Sequence, residues 1–104
     1  MQVAIASSDA VNVDEHFGRA GRFLIYVIEG KVQTLLAIRT LAAPYSAGDE
    51  GHGFEAARFA EIVGKFNGCE RLYCTRIGEK PAEELREQGI EPVIYQGPIR
   101  GINI

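Results

Sequence analysis

The chain of 104 residues, with 46% apolar and 24% charged side chains, has the size and balance of one globular domain, which excludes a disordered protein. Its net charge of −3 disfavours a nucleic-acid-binding protein, because such proteins neutralise phosphates with clustered Lys and Arg. The chain has no apolar stretch near the roughly 20 residues that cross a bilayer and no basic start of a signal peptide. We therefore expect a cytoplasmic protein with no membrane partner.

The N-terminal half carries the patterns of three strands and a loop. Residues 2–7 alternate between two faces, as a strand does. Residues 23–28 are continuously apolar, which indicates a strand covered on both faces, and a Glu-Gly turn then leads into a strand over 32–38, forming a β-hairpin. Residues 40–53 contain one proline and three glycines with little periodicity. This composition predicts a long, flexible Gly-rich loop.

Helical patterns enter in the C-terminal half. Apolar residues fall at helical spacing from Phe54 to Phe66, where Asn-Gly ends the helix, and a short strand follows over 71–74. A second helix is predicted over 81–88 and a last, edge-placed strand over 90–95, whereas the tail from Gly97 is expected to be irregular. The order β-β-β-α-β-α-β predicts one α/β domain over residues 1–104. Its sheet is mixed, and the C-terminal strand–helix–strand units are parallel and right-handed.

The polar segment between the first two strands predicts a ligand site. His16 lies there on a turn, followed by Phe17 and Gly18, at the end of a sheet rather than inside an element. If the first and fourth strands are parallel neighbours, their carboxyl ends meet in the crevice where open α/β sheets bind ligands. The first strand delivers Ser7, Ser8 and Asp9 to this crevice, and the fourth delivers Cys74, Arg76 and Gly78.

The charge and the glycines of this crevice suit an anionic ligand. Arg19, Arg22 and Arg76 are its nearest cationic groups, and the start of the helix after Gly78 supplies further donors. The other reading is that each arginine is an ordinary surface residue and each glycine marks a strand end or a turn. His52 lies in the Gly-rich loop, where an exposed residue is expected. The loop could also close over a ligand and bring His52 toward His16 as a further metal ligand.

The two cysteines do not form a zinc site. Cys69 and Cys74 are five positions apart, so they face opposite sides of an extended strand at a separation of roughly 16 Å. Structural zinc sites use closer ligand spacings. Cys74 is either a small buried core residue or a soft thiolate ligand at the crevice, where Arg76 would favour negative charge. Cys69 is expected to be structural, and both thiols to be reduced.

Catalytic patterns are weak. The sequence has no nucleophile elbow, no Walker loop and no dinucleotide-binding glycine pattern. Asp9, Asp14 and Glu15 could form a magnesium- or manganese-dependent phosphoester hydrolase site, but Asp14 and Glu15 are adjacent and point apart in extended chain. A third hypothesis is an interaction module with no ligand. We expect a protein that is not an enzyme.

The sequence resembles the dinitrogenase iron–molybdenum cofactor biosynthesis family, which includes NifX-like and NifB C-terminal-like domains. The resemblance covers nearly the whole chain. It lies in the first strand, in the segment from Val13 to Ala20 with its His-Phe-Gly, in the second strand, and in the Cys-Thr-Arg-Ile-Gly segment that ends at Gly78. The His-Phe-Gly and Arg-Ile-Gly segments together are its specific part.

The resemblance implies a three-layer α/β/α, ribonuclease-H-like fold with a mixed five-stranded sheet. It implies a non-catalytic carrier of a metal–sulfur cluster of the iron–molybdenum cofactor or precursor type in nitrogenase cofactor biosynthesis, with His16 as a ligand and Cys74 as a softer one. A related branch, the orange-protein type, holds a molybdenum–copper sulfide cluster. The expected partners are proteins that donate and accept the cofactor, and the expected state is a monomer or a weak homodimer, since an uncovered edge strand could pair with another copy.

Overall fold

The computed structural model describes residues 1–46 and 54–104, and these ranges hold seven strands and two α-helices. The strands are β1 (Gln2–Ala6), β2 (Asn12–Val13), β3 (Arg22–Glu29), β4 (Val32–Thr40), β5 (Arg71–Cys74), β6 (Glu91–Ile94) and β7 (Gly97–Pro98). The helices are α1 (Ala56–Val63) and α2 (Glu79–Glu87), with 3₁₀ helices at Gly64–Phe66 and Ile99–Gly101. All the predicted strands and helices are present, and β2 and β7 are additional. Neither helix is long and apolar enough to cross a membrane.

Five strands form one mixed sheet in the order β4-β3-β1-β5-β6. The chain enters at the centre: β1 is antiparallel to β3 and parallel to β5, and β6 continues the parallel side. The hairpin of β3 and β4 forms the antiparallel side, with a bulge opposite Ile25 and Tyr26. This topology confirms the predicted mixed five-stranded sheet. The first strand is parallel to the strand at 71–74, which is the condition on which the predicted crevice depends.

Both α-helices pack on one face of the sheet. Ala4 and Ala6 of β1 point into this layer, which buries Phe59, Ile62, Phe66 and Leu85 among other apolar residues. Small residues on the central strand leave room for the large side chains of the helices, so the layer is filled by Phe and Leu. The predicted α/β fold class is therefore confirmed.

The C-terminal tail covers the other face. Val3 and Ile5 of β1 pack there with Tyr73, Ile99 and Ile102, and β7 pairs antiparallel with β2. Gln33 of β4 donates through Nε2 to the carbonyls of Ile99 (2.8 Å) and Ile102 (3.0 Å). The tail was predicted to be irregular, and the short strand and 3₁₀ helix within it correct that prediction.

Glycines end the helical segments of this fold. The loop after β4 also begins later than predicted. Gly68 (φ +86°) and Gly89 (φ +82°) adopt the left-handed conformation that other residues avoid, so the chain turns into β5 and β6 there. Thr40 still belongs to β4, and Leu41 and Tyr45 are buried. The remainder of the predicted loop, residues 47–53, lies outside the described residues.

Candidate functional site

The His-Phe-Gly turn lies beside the end of β5, where the chain comes back to the sheet. After β1 ends, residues 7–13 leave the sheet, and the following residues come back beside the end of β5. There the Thr75 N–H donates to the Glu15 carbonyl (2.9 Å), and the Phe17 N–H donates to the Arg76 carbonyl (2.8 Å). His16 is thus paired with Arg76 in a parallel bridge. Two segments that are sixty residues apart in sequence are fixed side by side by backbone hydrogen bonds.

The side chain of Phe17 anchors this turn in the helix-side core. Phe17 is only 1% exposed, and its ring lies 5.9 Å from Phe23, 5.6 Å from Tyr45 and 6.2 Å from Phe59, measured between centroids. The carbonyl of His16 accepts hydrogen bonds from the N–H groups of the third and fourth residues after it, at 3.1 and 3.0 Å. The backbone of His16 is therefore held from both sides, and its imidazole is half-buried.

An open pocket of about 210 Å³ lies at this position. It is lined by His16, Gly18, Arg19, Ser46, Arg76, Ile77 and Gly78. Five of the predicted site residues thus line one pocket: His16, Gly18, Arg19, Arg76 and Gly78. They meet because β1 and β5 are parallel neighbours, so that the segments following their carboxyl ends lie at the same edge of the sheet.

The pocket is cationic. The side chains of Arg19 and Arg76 are exposed, and neither forms an ion pair within the described part of the chain. Among the described residues, the imidazole of His16 has no hydrogen-bond partner, and His16 lines the pocket. Among the residues that the structure describes, no carboxylate lines this pocket. The arrangement offers one nitrogen ligand and two guanidinium groups to an anion.

A second, more apolar compartment adjoins the first. Its volume is about 360 Å³, and it shares Gly18, Ser46 and Gly78 with the cationic pocket. Its other lining residues are Phe17, Tyr45, Phe54, Glu79, Lys80 and Pro81. The hydroxyl and the N–H of Ser46 both donate to the Gly18 carbonyl, which ties the segment after β4 to the His-Phe-Gly turn.

Sequence reasoning missed Ser46, Tyr45, Phe54 and Lys80 as lining residues. The available signal was the position of Ser46 and Phe54 in and beside the predicted loop 40–53, because loops near a sheet end commonly contribute to sites. Lys80 lies 6.0 Å from the centroid of the Phe54 ring, so it carries a further positive charge to the apolar compartment.

Asp9 organises its own loop. It accepts hydrogen bonds from the N–H groups of Val11 (2.9 Å) and Asn12 (2.8 Å), from the Asn12 amide and from the Ser7 hydroxyl. These hydrogen bonds lower the pKa of Asp9 from 3.8 to about 2, and the backbone N–H groups of Asn12 and Val11 contribute most to this shift. The loop turns through Ala10, whose φ is +62°. The carboxylate of Asp9 is thus used within residues 7–12 and does not line the cationic pocket.

The neighbouring predicted residues belong to the same network. Asp14 accepts from the N–H (2.8 Å) and the hydroxyl of Ser8, and Arg22 donates to the carbonyls of Ser7 and Ser8. Ser7 is buried. These contacts hold the loop in place, and Ser7, Ser8 and Asp9 do not line the pocket.

The Cys74 thiol lies beneath the pocket in the helix-side core. It is fully buried, and this burial raises its pKa to about 11, although the N–H groups of Arg76 and Phe17 hydrogen-bond to the sulfur and partly oppose the effect. Only about one thiol in 10⁴ with this pKa is ionised at pH 7. Cys69 is also buried, which raises its pKa, and its sulfur accepts from Gln2 Nε2 at 3.7 Å. His52 lies outside the described residues, so its predicted ligand role stays a prediction.

The donor set fits a preformed cluster better than a bare metal ion. Within residues 1–46 and 54–104, no three His, Cys, Asp or Glu side chains come together as an ion site. A bare divalent ion needs three or four such ligands, whereas the sulfides of a cluster already satisfy most of the metal valences.

Comparisons with known proteins agree with the fold and with the family. Residues 1–102 match the model of a family described as dinitrogenase iron–molybdenum cofactor. The FeMo cofactor biosynthesis protein NifB of Klebsiella pneumoniae is 36% identical over 93 residues, which are 88% of this chain and 20% of that protein. Protein NifX of Azotobacter vinelandii is 29% identical over 93 residues, covering 89% of this chain and 55% of NifX.

The chain thus spans about a fifth of that NifB protein and about half of that NifX protein. Among solved structures, the crystal structure of PH0822 superposes with a TM-score of 0.70 at 22% identity, covering 98% of this chain and 84% of that one. At this identity the likeness establishes the fold.

Proposed function

Because the chain belongs to the dinitrogenase iron–molybdenum cofactor family, we propose that it binds a metal–sulfur cluster of the iron–molybdenum cofactor or precursor type and holds it for delivery or storage. The observation that carries the proposal is the cationic pocket, in which the His16 imidazole, Arg19 and Arg76 line one open space. The relatives named for FeMo cofactor biosynthesis support the choice of cluster. The role is that of a carrier rather than an enzyme.

Recognition begins with charge. A metal–sulfur cluster core rich in sulfide is anionic, and the guanidinium groups of Arg19 and Arg76 offer it hydrogen-bond donors and positive charge. The pocket also adjoins the start of α2, where Gly78 is the residue before the helix and the first N–H groups have no partner within the helix. Both features favour a negatively charged ligand.

Ligation by His16 fixes the cluster in orientation. A neutral imidazole donates an electron pair to a metal at the cluster surface, and the paired backbone segments hold the His16 main chain in place. A single protein ligand in an open pocket allows release to an acceptor protein, since only one metal–nitrogen bond must break. A closed set of four ligands would release the cluster slowly.

Cys74 is not needed for this binding. Its thiol is fully buried and almost entirely protonated at pH 7, so ligation would require the turn above it to open. We propose that Cys74 supports the floor of the pocket, and that His16 is the residue that meets the metal. Asp9 and Asp14 are engaged in their loop, which leaves the hydrolase hypothesis without an observation in its favour.

The proposal is tested by anaerobic reconstitution in two arms, one with iron, molybdate and sulfide and one with copper, molybdate and sulfide. We expect the iron arm to give a stoichiometric chromophore with the wild type. Arg76→Ala should bind less cluster. Arg100→Ala should bind normally, because Arg100 is an exposed arginine in the C-terminal 3₁₀ helix and does not line the pocket. A chromophore in the copper arm alone assigns the site to a molybdenum–copper cluster, and none in either arm refutes cluster binding.

A further inference from the structure

Two arginines of the cationic pocket keep their guanidinium groups available for a ligand. The side chains of Arg22, Arg71 and Arg86 donate to a carbonyl, a hydroxyl and a carboxylate oxygen of the protein, respectively. The side chains of Arg19 and Arg76 have no such partner within residues 1–46 and 54–104, although both line one pocket. Two like charges that share a pocket without a counter-charge repel each other, so this arrangement favours an anion between them.

The main chain beside these arginines adds hydrogen-bond donors. Gly78 precedes α2, and no side chain caps the helix at this position. The N–H groups of Glu79 and Lys80 in the first turn therefore have no acceptor within the helix. Gly18 and Gly78 carry no side chain, so a ligand in the pocket can approach the main chain closely. The donors of the backbone thus support the same anion as the two arginines.

The size and the donors of the pocket favour a tetrahedral oxyanion. The pocket volume is about 210 Å³, whereas the four oxygens of such an anion occupy roughly 120 Å³ if each takes the ~30 Å³ of a water molecule. A guanidinium group binds two oxygens of one phosphate through two parallel N–H···O hydrogen bonds. A chloride ion offers no pair of oxygens to this fork. Shape and hydrogen bonding therefore both select an oxyanion over a simple halide.

We propose that the cationic pocket of the cluster-free protein binds one free tetrahedral oxyanion of the phosphate or sulfate class through Arg19 and Arg76. Oxyanion binding itself does not depend on the proposed function. Its consequence for cluster loading rests on that function, because the same guanidinium groups recognise the cluster there. Loading is then an anion exchange, in which the arriving cluster displaces the oxyanion and a high oxyanion concentration lowers cluster occupancy.

Two-dimensional NMR of the ¹⁵N-labelled, cluster-free protein during titration with inorganic phosphate tests the site. We expect saturable chemical-shift changes at the amides of Glu79 and Lys80 and at the Nε–H of Arg76, with a dissociation constant in the millimolar range. Sodium chloride at matched ionic strength is the control for screening and should leave these signals nearly unchanged. A parallel titration with sulfate identifies the anion: equal binding assigns the site to tetrahedral oxyanions in general, and selective binding assigns it to one of the two.

Two arginine variants test the contacts. Arg76→Ala should weaken oxyanion binding by about tenfold or more, because it removes charge-assisted hydrogen bonds. Arg100→Ala is the matched control, since Arg100 is exposed and does not line the pocket, and it should leave the dissociation constant unchanged. Both substitutions remove one positive charge from the surface, so they separate a local contact from an effect of net charge. The same NMR spectra verify that each variant is folded.

Competition tests whether the oxyanion and the cluster share the pocket. Sulfate is the competitor, because phosphate precipitates iron. At about ten times its dissociation constant it should lower the cluster loaded at limiting iron several-fold, by mass action, relative to sodium chloride at matched ionic strength.

Shift changes that do not saturate, or that equal those in sodium chloride, overturn oxyanion binding, and so does equal weakening by Arg76→Ala and Arg100→Ala. Sulfate that binds without lowering cluster loading overturns the shared pocket. If no cluster binds in any arm, the proposed function fails, whereas the phosphate titration still decides oxyanion binding.

Discussion

Replacing Phe17 by alanine should destabilise the domain strongly, because the pocket depends on this one buried ring. Phe17 is 1% exposed and contacts three aromatic rings at centroid distances of 5.6 to 6.2 Å. Truncating a buried Phe to Ala costs about 3–5 kcal/mol, and the aromatic contacts place Phe17 toward the upper part of that range. A domain typically has a free energy of unfolding of about 5–15 kcal/mol, so this substitution would remove a large share of it.

Urea unfolding followed by circular dichroism measures this loss. With a slope near 2 kcal/mol/M, a loss of about 4 kcal/mol lowers the midpoint by about 2 M. Phe17→Leu keeps most of the side-chain volume and should cost less than about 1.5 kcal/mol, whereas Val11→Ala, at a side chain that is 61% exposed, should cost almost nothing. A loss below about 1 kcal/mol for Phe17→Ala, with an unchanged slope, would refute the role of this ring as the anchor of the turn.

Two further predictions concern groups whose pKa the fold shifts. Because burial raises the pKa of Cys74 from 9.0 to about 11, its alkylation by iodoacetamide at pH 7, measured by peptide mass spectrometry, should be at least ~100-fold slower than in urea-unfolded protein; equal rates would contradict a buried, protonated thiol. Because hydrogen bonds lower the pKa of Asp9 to about 2, its carboxylate stabilises the fold above pH ~4, and this contribution is lost as the pH falls through about 2. Asp9→Asn should therefore be less stable than the wild type at pH 7, with a difference in urea midpoint that shrinks between pH 4 and pH 2, and a difference independent of pH would argue against the loop network.

The convergence of His16 and Arg76 could be anticipated from the sequence because it follows from strand order. Alternation over residues 2–7 and the apolar run over 23–28 identify strands, and parallel pairing of the first strand with 71–74 places the segments after both at one edge. The sequence also predicts the ends of the helical segments at Gly68 and Gly89, where the backbone adopts the left-handed conformation that glycine favours.

Other features had no sequence signal of that strength. β2 and β7 have two residues each, too few to show a period, so the layer formed by the tail was not predicted. The face on which Cys74 lies was also undetermined, because β5 is buried on both faces and its pattern does not distinguish the helix side from the tail side. The role of Asp9 depends on local hydrogen bonds that residue type alone leaves open.

Pulsed electron paramagnetic resonance on anaerobically reconstituted, reduced protein with ¹⁵N-labelled histidine tests the cluster-binding proposal most directly, since it detects an imidazole bound to the cluster. We predict a ¹⁵N coupling in the wild type and in Phe17→Leu that disappears in His16→Ala, together with most of the bound metal. Cluster content and nitrogen coupling that persist unchanged in His16→Ala would show that the imidazole between the two arginines is not the ligand.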